Sequence, residues 1–296
     1  MKIALTGSNG LLGQHLVKKL IDNQYNVVAI SRGIDRTAFS AYKSYRYYGA
    51  DITDEKALQN ILMVEKSAVL VHAAAITQVD ECELNQEYCQ LVNIQGTKNV
   101  LGIAKAFCNH LIYISTDFVF DGIKGNYDEE AMAEPVSFYG QTKLHSEKLI
   151  QQTSIPWAVI RTSLVYGNSI SGTRSNIITW VKKELEEGRQ INVVGDQVRT
   201  PTYVEDLAAG IVLVIQKKAT GIFHISGKDI LTPYEIAVQT ASFFNLPNRL
   251  ITKVSADTFT QPAKRPPITG FNISKARALL GYEPLFFIEG LKKMFS

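Results

Sequence analysis

An α/β chain built on a doubly wound parallel sheet is the fold that this sequence predicts, and three features point to it. Short apolar runs alternate with stretches of helical periodicity up to about residue 165. Some of those runs, such as Ala68-Val69-Leu70-Val71-His72, are apolar almost throughout, as strands covered on both faces are. The first run, Ile3-Ala4-Leu5-Thr6, ends in a glycine-rich turn and passes straight into a helical pattern with Leu12, Leu16 and Leu20 on one side.

Composition bounds the function classes. The chain has 296 residues, 46% hydrophobic and 20% charged, enough for one large domain or a domain with a smaller lobe. Its formal net charge is +3 with the signs interspersed, which argues against a nucleic-acid stripe or a polybasic membrane patch. No apolar run approaches the roughly 18 residues that a membrane span needs. The N-terminus reads directly as a strand with no signal-peptide pattern, so the cytoplasm is the expected compartment. Cys82, Cys89 and Cys108 lack CxxC spacing, and the five histidines are scattered without HExxH; neither a disulfide framework nor a metal site is expected.

Taken in order, the turn Gly7-Ser8-Asn9-Gly10-Leu11-Leu12-Gly13 has GxxGxxG spacing between strand and helix. Such a turn lets a pyrophosphate approach a helix N-terminus. No Lys-Ser/Thr follows, which excludes a triphosphate P-loop. Gly7, Asn9, Gly10, Leu11, Leu12 and Gly13 are therefore dinucleotide-binding candidates. The second strand, residues 26–30, ends at Ser31-Arg32. A carboxylate there would repel a 2′-phosphate, whereas an Arg pairs with it, so NADP is favoured over NAD. The alternative is a solvated Arg32 with Asp35 serving the ribose.

A third strand over residues 47–52 puts Asp51, with Ile52 beside it, near the adenine edge, and Thr53 caps a helix beginning at Asp54. The fourth strand runs into Ala73-Ala74-Ala75, small residues that leave room for a cofactor's ribose and phosphate. Residues 88–109 read as a helix interrupted by Asn93 and Asn99; Asn93 is either a cofactor-side candidate, a buried polar group steadying the Lys143 region through water, or a surface residue. The next strand, residues 111–114, stops at Ser115-Thr116-Asp117, on the edge where such sheets bind ligands.

Tyr139 and Lys143 lie four residues apart in a helical stretch, hence on one face. A tyrosine with a pKa of about 10 is a poor proton carrier at neutral pH, and a nearby cation brings that value down. With Thr116, the pair can serve one carbonyl oxygen in proton transfer. YxxxK is common on solvated helices, so the other matches carry the reading. Residues 158–162 form a further strand, ending at Thr162. Beyond it come a helix over 177–187, a strand over 191–194, a polar loop to 203, an apolar helix over 204–216, a strand over 221–225, the capping box Thr232-Pro233-Tyr234-Glu235 and a helix from Ser274. The expected division is a dinucleotide domain over 1–165, joined by parts of about 192–225, and a smaller lobe over 166–296.

The chain resembles the extended short-chain dehydrogenase/reductase superfamily, and within it the dTDP-4-dehydrorhamnose reductase family, nearly end to end. The resemblance rests on the glycine turn, Ala73-Ala74-Ala75, the run from Tyr113 through Ser115-Thr116-Asp117-Phe118-Val119-Phe120-Asp121-Gly122, and Tyr139-Gly140-Gln141-Thr142-Lys143. Arg161-Thr162-Ser163, Asp196-Gln197, Pro201-Thr202-Tyr203 and Arg265-Pro266 extend it. It implies a nucleotide-linked sugar whose 4-keto group is reduced, dTDP-4-dehydro-6-deoxy-L-mannose to dTDP-L-rhamnose. Tyr139 would protonate the alkoxide, Lys143 would lower the Tyr139 pKa and hold the cofactor ribose, and Thr116 would hydrogen-bond the keto oxygen. Ser115 and Thr162 join the cofactor set. Thr116 and Asp117 would flank the sugar and Arg265 would pair with the diphosphate. Two departures stand out: Leu164 where the family has a Trp platform for the sugar, and Val198-Arg199-Thr200 where it usually has a Gly. The alternatives are an epimerase of the same fold and an NADP-binding regulatory subunit like the beta subunit of methionine adenosyltransferase. A homodimer is the candidate assembly.

Overall fold

The computed structural model describes residues 1–171 and 176–296. Its strands in chain order are β1 (Lys2–Thr6), β2 (Asn26–Ser31), β3 (Tyr45–Gly49), β4 (Val69–His72), β5 (His110–Thr116), β6 (Trp157–Thr162), β7 (Val165–Tyr166), β8 (Ile191–Val194), β9 (Thr202–Tyr203), β10 (Gly221–His224) and β11 (Ile251–Val254). Seven of them form one parallel sheet in the order β10-β6-β5-β4-β1-β2-β3. The chain steps outward from β1 to β3, then crosses back to β4. A crevice therefore opens beyond the C-terminal ends of β1 and β4, where the direction of winding reverses.

The apolar strands are explained by burial on both faces. In β1, Ile3 and Leu5 enter one core with Leu16, Leu20 and Ile211, while Ala4 enters the other with Leu58, Leu62 and Val100. Helices α1 (Leu11–Asp22), α2 (Glu55–Glu65), α3 (Val79–Leu84), α4 (Gln86–Gln90), α5 (Gly96–Phe107) and α6 (Phe138–Gln151) belong to the first part of the chain. After them come α7 (Ile177–Glu186), α8 (Val204–Lys217), α9 (Pro233–Phe243), α10 (Ser274–Leu280) and α11 (Phe287–Met294). Two smaller cores are built mainly from the later part of the chain, one around Tyr166, Ile178, Phe287 and Leu291, the other around Val181, Leu185, Ile191 and Ile251.

Four sequence expectations change. The third strand lies at Tyr45–Gly49, so Asp51 and Ile52 follow it in a turn. Asp54, not Thr53, caps α2: its carboxylate accepts from Ala57 N at 3.0 Å, while the Thr53 hydroxyl donates to Asp51 at 2.9 Å. The helix read over 88–109 is α4, a π-helical turn over Leu91–Gln95, and α5, preceded by the unforeseen α3. Of residues 192–225, the sheet takes α8 against α1 and β10 against β6, but β8 pairs with β11 in the lobe.

Candidate functional site

A cleft of about 870 Å³ runs from the glycine turn, across the ends of β4 and β5, to the lobe. At one end the backbone itself makes the surface. Gly7 has φ +80°, and a Cβ there would sit 2.8 Å from Ala74 N and 2.9 Å from the Ala73 carbonyl carbon. A Cβ on Gly13 would overlap the Gly7 carbonyl oxygen. Gly10 begins α1 with no side-chain cap and no acid in the first turn, so the helix N-terminus is presented bare beside Leu11 and Leu12. This cradle fits a dinucleotide pyrophosphate. Ala73, Ala74, Ala75, Asp51 and Ile52 line the same cleft.

The 2′-position end differs in detail from expectation. Asn9 lines the cleft, but its amide shapes the loop after β2, donating to Ile34 O at 2.9 Å and Tyr47 Oη at 3.1 Å and accepting from Arg36 N at 2.9 Å. The exposed Arg32 donates to Tyr88 Oη at 2.7 Å and lies 3.9 Å from the Asp51 carboxylate. Arg36, not singled out from the sequence, lines this end with it. Asp35 does not line the cleft; Thr37 N, Thr37 Oγ1 and Tyr45 Oη occupy its carboxylate at 2.8, 2.7 and 3.0 Å. Asn93 is also off the cleft wall. It is a buried clamp: Oδ1 accepts from Ile76 N at 2.8 Å, and Nδ2 donates to Ile76 O and Thr142 Oγ1, both at 3.1 Å. No water is needed to link it to the Lys143 helix.

Helix α6 brings Tyr139 and Lys143 to the cleft wall, and Ser137 caps the helix, accepting from Gly140 N at 3.2 Å. A Cβ on Gly140 would overlap the Phe118 carbonyl oxygen, so only glycine lets α6 come this close to the end of β5. That approach sets Tyr139 beside Thr116. Burial raises the Tyr139 phenol above its ordinary range; hydrogen bonding with Thr116 offsets part of this, and the Asp117 carboxylate adds to it. Lys143 Nζ donates to Ile114 O at 2.7 Å and stands 4.1 Å from the Tyr113 ring centroid. Burial lowers its pKa to about 7, against the pull of Glu147. The sequence expectation that Lys143 makes the phenol acidic is therefore corrected. The ammonium is spent on a carbonyl, and desolvation dominates at the phenol.

One turn further along α6, Glu147 forms a buried pair with Arg161 of β6, at 3.0 Å from Nε and 2.7 Å from Nη2. Ser115 lines the cleft but its hydroxyl points back to Glu147 at 2.5 Å. Thr162 lines the cleft with a buried hydroxyl that meets no hydrogen-bond partner among the described residues, as a ligand-facing group would.

Towards the lobe, Asp117 is a strut more than a sugar ligand. It is 2% exposed, and its oxygens accept from Thr116 Oγ1 at 3.1 Å, Ser163 Oγ at 2.9 Å and Thr269 Oγ1 at 2.5 Å. Arg199 Nε stands 3.8 Å away. This buried arginine also lines the cleft, donates to Val198 O at 2.8 Å and Pro267 O at 3.0 Å, and lies 5.6 Å over the Phe118 ring. In the sequence its one signal is the departure from glycine at this loop. Leu164 lines the wall with φ +38°, a left-handed conformation that costs a branched side chain energy. Arg265 sits at the rim, its fork closed on Asp80 at 3.1 and 2.7 Å. Reaching a diphosphate would require exchanging that partner. Among the described residues no group of three or more His, Cys, Asp and Glu is placed to hold a metal, and no helix is long and apolar enough to cross a membrane.

The reversal of winding, the glycine cradle at it and the Thr116, Tyr139 and Lys143 set at the next strand end define an extended short-chain dehydrogenase/reductase. Within that class, the chain belongs to the family described as RmlD substrate binding domain, whose model matches residues 1–296. It is 27% identical to a dTDP-4-dehydrorhamnose reductase of Aggregatibacter actinomycetemcomitans, over 99% of this chain and 98% of that one. It is 30% identical to methionine adenosyltransferase 2 subunit beta of Xenopus laevis, over 82% of this chain and 72% of that one. Among solved structures, a dTDP-4-dehydrorhamnose reductase of Bacillus anthracis in complex with NADP superposes with TM-score 0.86 at 27% identity, covering 99% and 98% of the two chains.

Proposed function

We propose that this protein is an NADPH-dependent reductase of the keto group of a nucleotide-linked deoxysugar, with dTDP-4-dehydro-6-deoxy-L-mannose as the leading substrate and dTDP-L-rhamnose as product. The observation that carries this reading is a buried Tyr139 phenol next to Thr116, in a cleft that joins a dinucleotide cradle to a pair of arginines. The relatives named as dTDP-4-dehydrorhamnose reductases, one of them solved with NADP, support it. When bound, a reduced nicotinamide supplies the hydride. Thr116 turns its hydroxyl from Asp117 to the keto oxygen. Tyr139 gives its proton to the same oxygen, a downhill transfer because an alkoxide is far more basic than a phenolate. Lys143, four residues on from Tyr139 in α6, brings a cation to the same helix face as the phenolate left behind, and Arg199 and Arg265 meet the anionic end of the substrate.

Similarity to a regulatory subunit favours a second reading, a dinucleotide-binding subunit without turnover. Leu164 in the place of a ring platform also fits it. Against it stands the intact Thr116, Tyr139 and Lys143 set. NADPH absorbance with a panel of 4-keto nucleotide sugars separates the two readings. The expected result is consumption with one of them, and for Tyr139→Phe a loss of turnover of roughly 10²–10⁴ with NADPH binding retained. Binding of NADPH without consumption on any sugar would reject the reductase in favour of an epimerase or a subunit.

A further inference from the structure

Two of the three thiols meet outside the cleft. Cys82 on α3 and Cys89 on α4 are both fully buried, and their Sγ atoms are 2.6 Å apart. The two thiols are thus in direct contact, as a disulfide with its S–S bond of about 2.05 Å requires. Neither takes part in the chemistry proposed above. We propose that Cys82 and Cys89 form a redox modification site: a dithiol that a hydroperoxide closes to an intramolecular disulfide, and whose state bears on α6.

The step balances. The Cys89 thiolate attacks one peroxide oxygen and breaks the O–O bond, giving a sulfenic acid and hydroxide. The Cys82 sulfur then attacks Cys89, forming the S–S bond and expelling hydroxide, which leaves as water with the Cys82 proton. Two thiols lose two electrons and hydrogen peroxide becomes two waters. The Cys82 thiol donating to Cys89 holds Cys89 below the usual thiol range, with Thr142 and Lys143 acting in the same direction. Cys108, buried by itself, is pushed up to about 12 and serves as an internal control. Val79, the first residue of α3, lines the cleft three positions before Cys82, so the oxidant would enter from that side.

The coupling to α6 is direct. Cys89 Sγ accepts from Asn93 Nδ2 at 3.3 Å and lies 3.8 Å from Thr142 Oγ1. Thr142 in turn donates to Tyr139 O at 2.8 Å, and Asn93 holds Ile76, next to the alanines of the cofactor wall. Drawing Cys89 onto Cys82 pulls it from both partners.

The test treats the full chain with hydrogen peroxide, then denatures, alkylates and weighs it. The expected result is alkylation of Cys108 alone, a crosslink between the peptides of Cys82 and Cys89, and reversal by dithiothreitol. NADPH consumption, or NADPH affinity if no sugar is turned over, should fall about threefold or more on oxidation and recover on reduction, because a shift of α6 misplaces Tyr139. Cys82→Ser and Cys89→Ser should each abolish the response. Alkylation of all three cysteines after peroxide, or a crosslink through Cys108, would overturn the site. Complete disulfide with unchanged turnover and affinity would overturn its coupling to α6.

Discussion

Lys143 carries a cost that pH can relieve. Its ammonium is buried, and burial brings its pKa from 10.5 to about 7 in the folded chain. Between those values the unfolded chain holds a proton that the folded chain lacks, so a rising pH favours folding through this group. Below about 7 both states hold the proton and the cost is complete. Wild type should therefore gain stability relative to Lys143→Met between about pH 7 and about pH 10, read as urea midpoints. A constant difference would mean an ordinary lysine. Arg32 and Arg36 act at the same scale. Arg32 is partly engaged by Tyr88 and Asp51, and Arg36 lines the same end of the cleft, so on the proposed function a 2′-phosphate would fall to both arginines. A charge-assisted hydrogen bond contributes about 1.5–3 kcal/mol, so replacing both by Ala should weaken NADPH by about tenfold or more relative to NADH. Equal weakening of the two in a binding titration would move the phosphate elsewhere.

Helix α6 is where sequence and tertiary contact divide most clearly. Gly140 is needed because α6 crosses the Phe118 carbonyl, so Gly140→Ala should push Tyr139 away from Thr116. Turnover should drop by about 10² while helix content by circular dichroism stays the same, since misplacing a catalytic group by an ångström has that effect. Full activity in Gly140→Ala would show that the close approach is dispensable. The helix, its Tyr139 and Lys143, and the strand ending at Thr116 were legible because spacing and apolar runs are local signals. The partner of Lys143 was not, because it is a carbonyl on another strand, Ile114 O. The π-helical turn at Leu91–Gln95 was hidden for the same reason. It is held from outside, with Asn93 O accepting from Ser146 Oγ at 2.8 Å and the Asn93 amide bonded to Ile76.

For the molecule as a whole, the site is finished by segments that arrive late. Thr269 reaches Asp117 across 152 positions of sequence, and Arg265 reaches Asp80 across 185. Such pairings leave no trace in spacing, which is why Asp117 read as a free sugar ligand and Arg265 as a free cation. The alternation that gave the parallel sheet was legible in its first six strands, although the third lies earlier than the reading over 47–52, and of residues 192–225 β10 joins the sheet. The Asp80 fork has a testable result. Asp80→Asn removes the charge that holds Arg265, and affinity for dTDP should rise by several-fold if that arginine then meets a diphosphate. Unchanged or weaker dTDP binding in calorimetry would take Arg265 out of substrate recognition.

The position of β10 also bears on how the protein is made. Strand β6 ends at Thr162, yet the strand that covers its outer edge begins only at Gly221. While a ribosome is still translating the intervening stretch, the emerging polypeptide carries a row of unsatisfied amides and carbonyls along β6, the kind of template on which nascent chains stick to one another. Translation halted before Gly221 should leave a product that depends on chaperones, whereas one carried past His224 can close its own border.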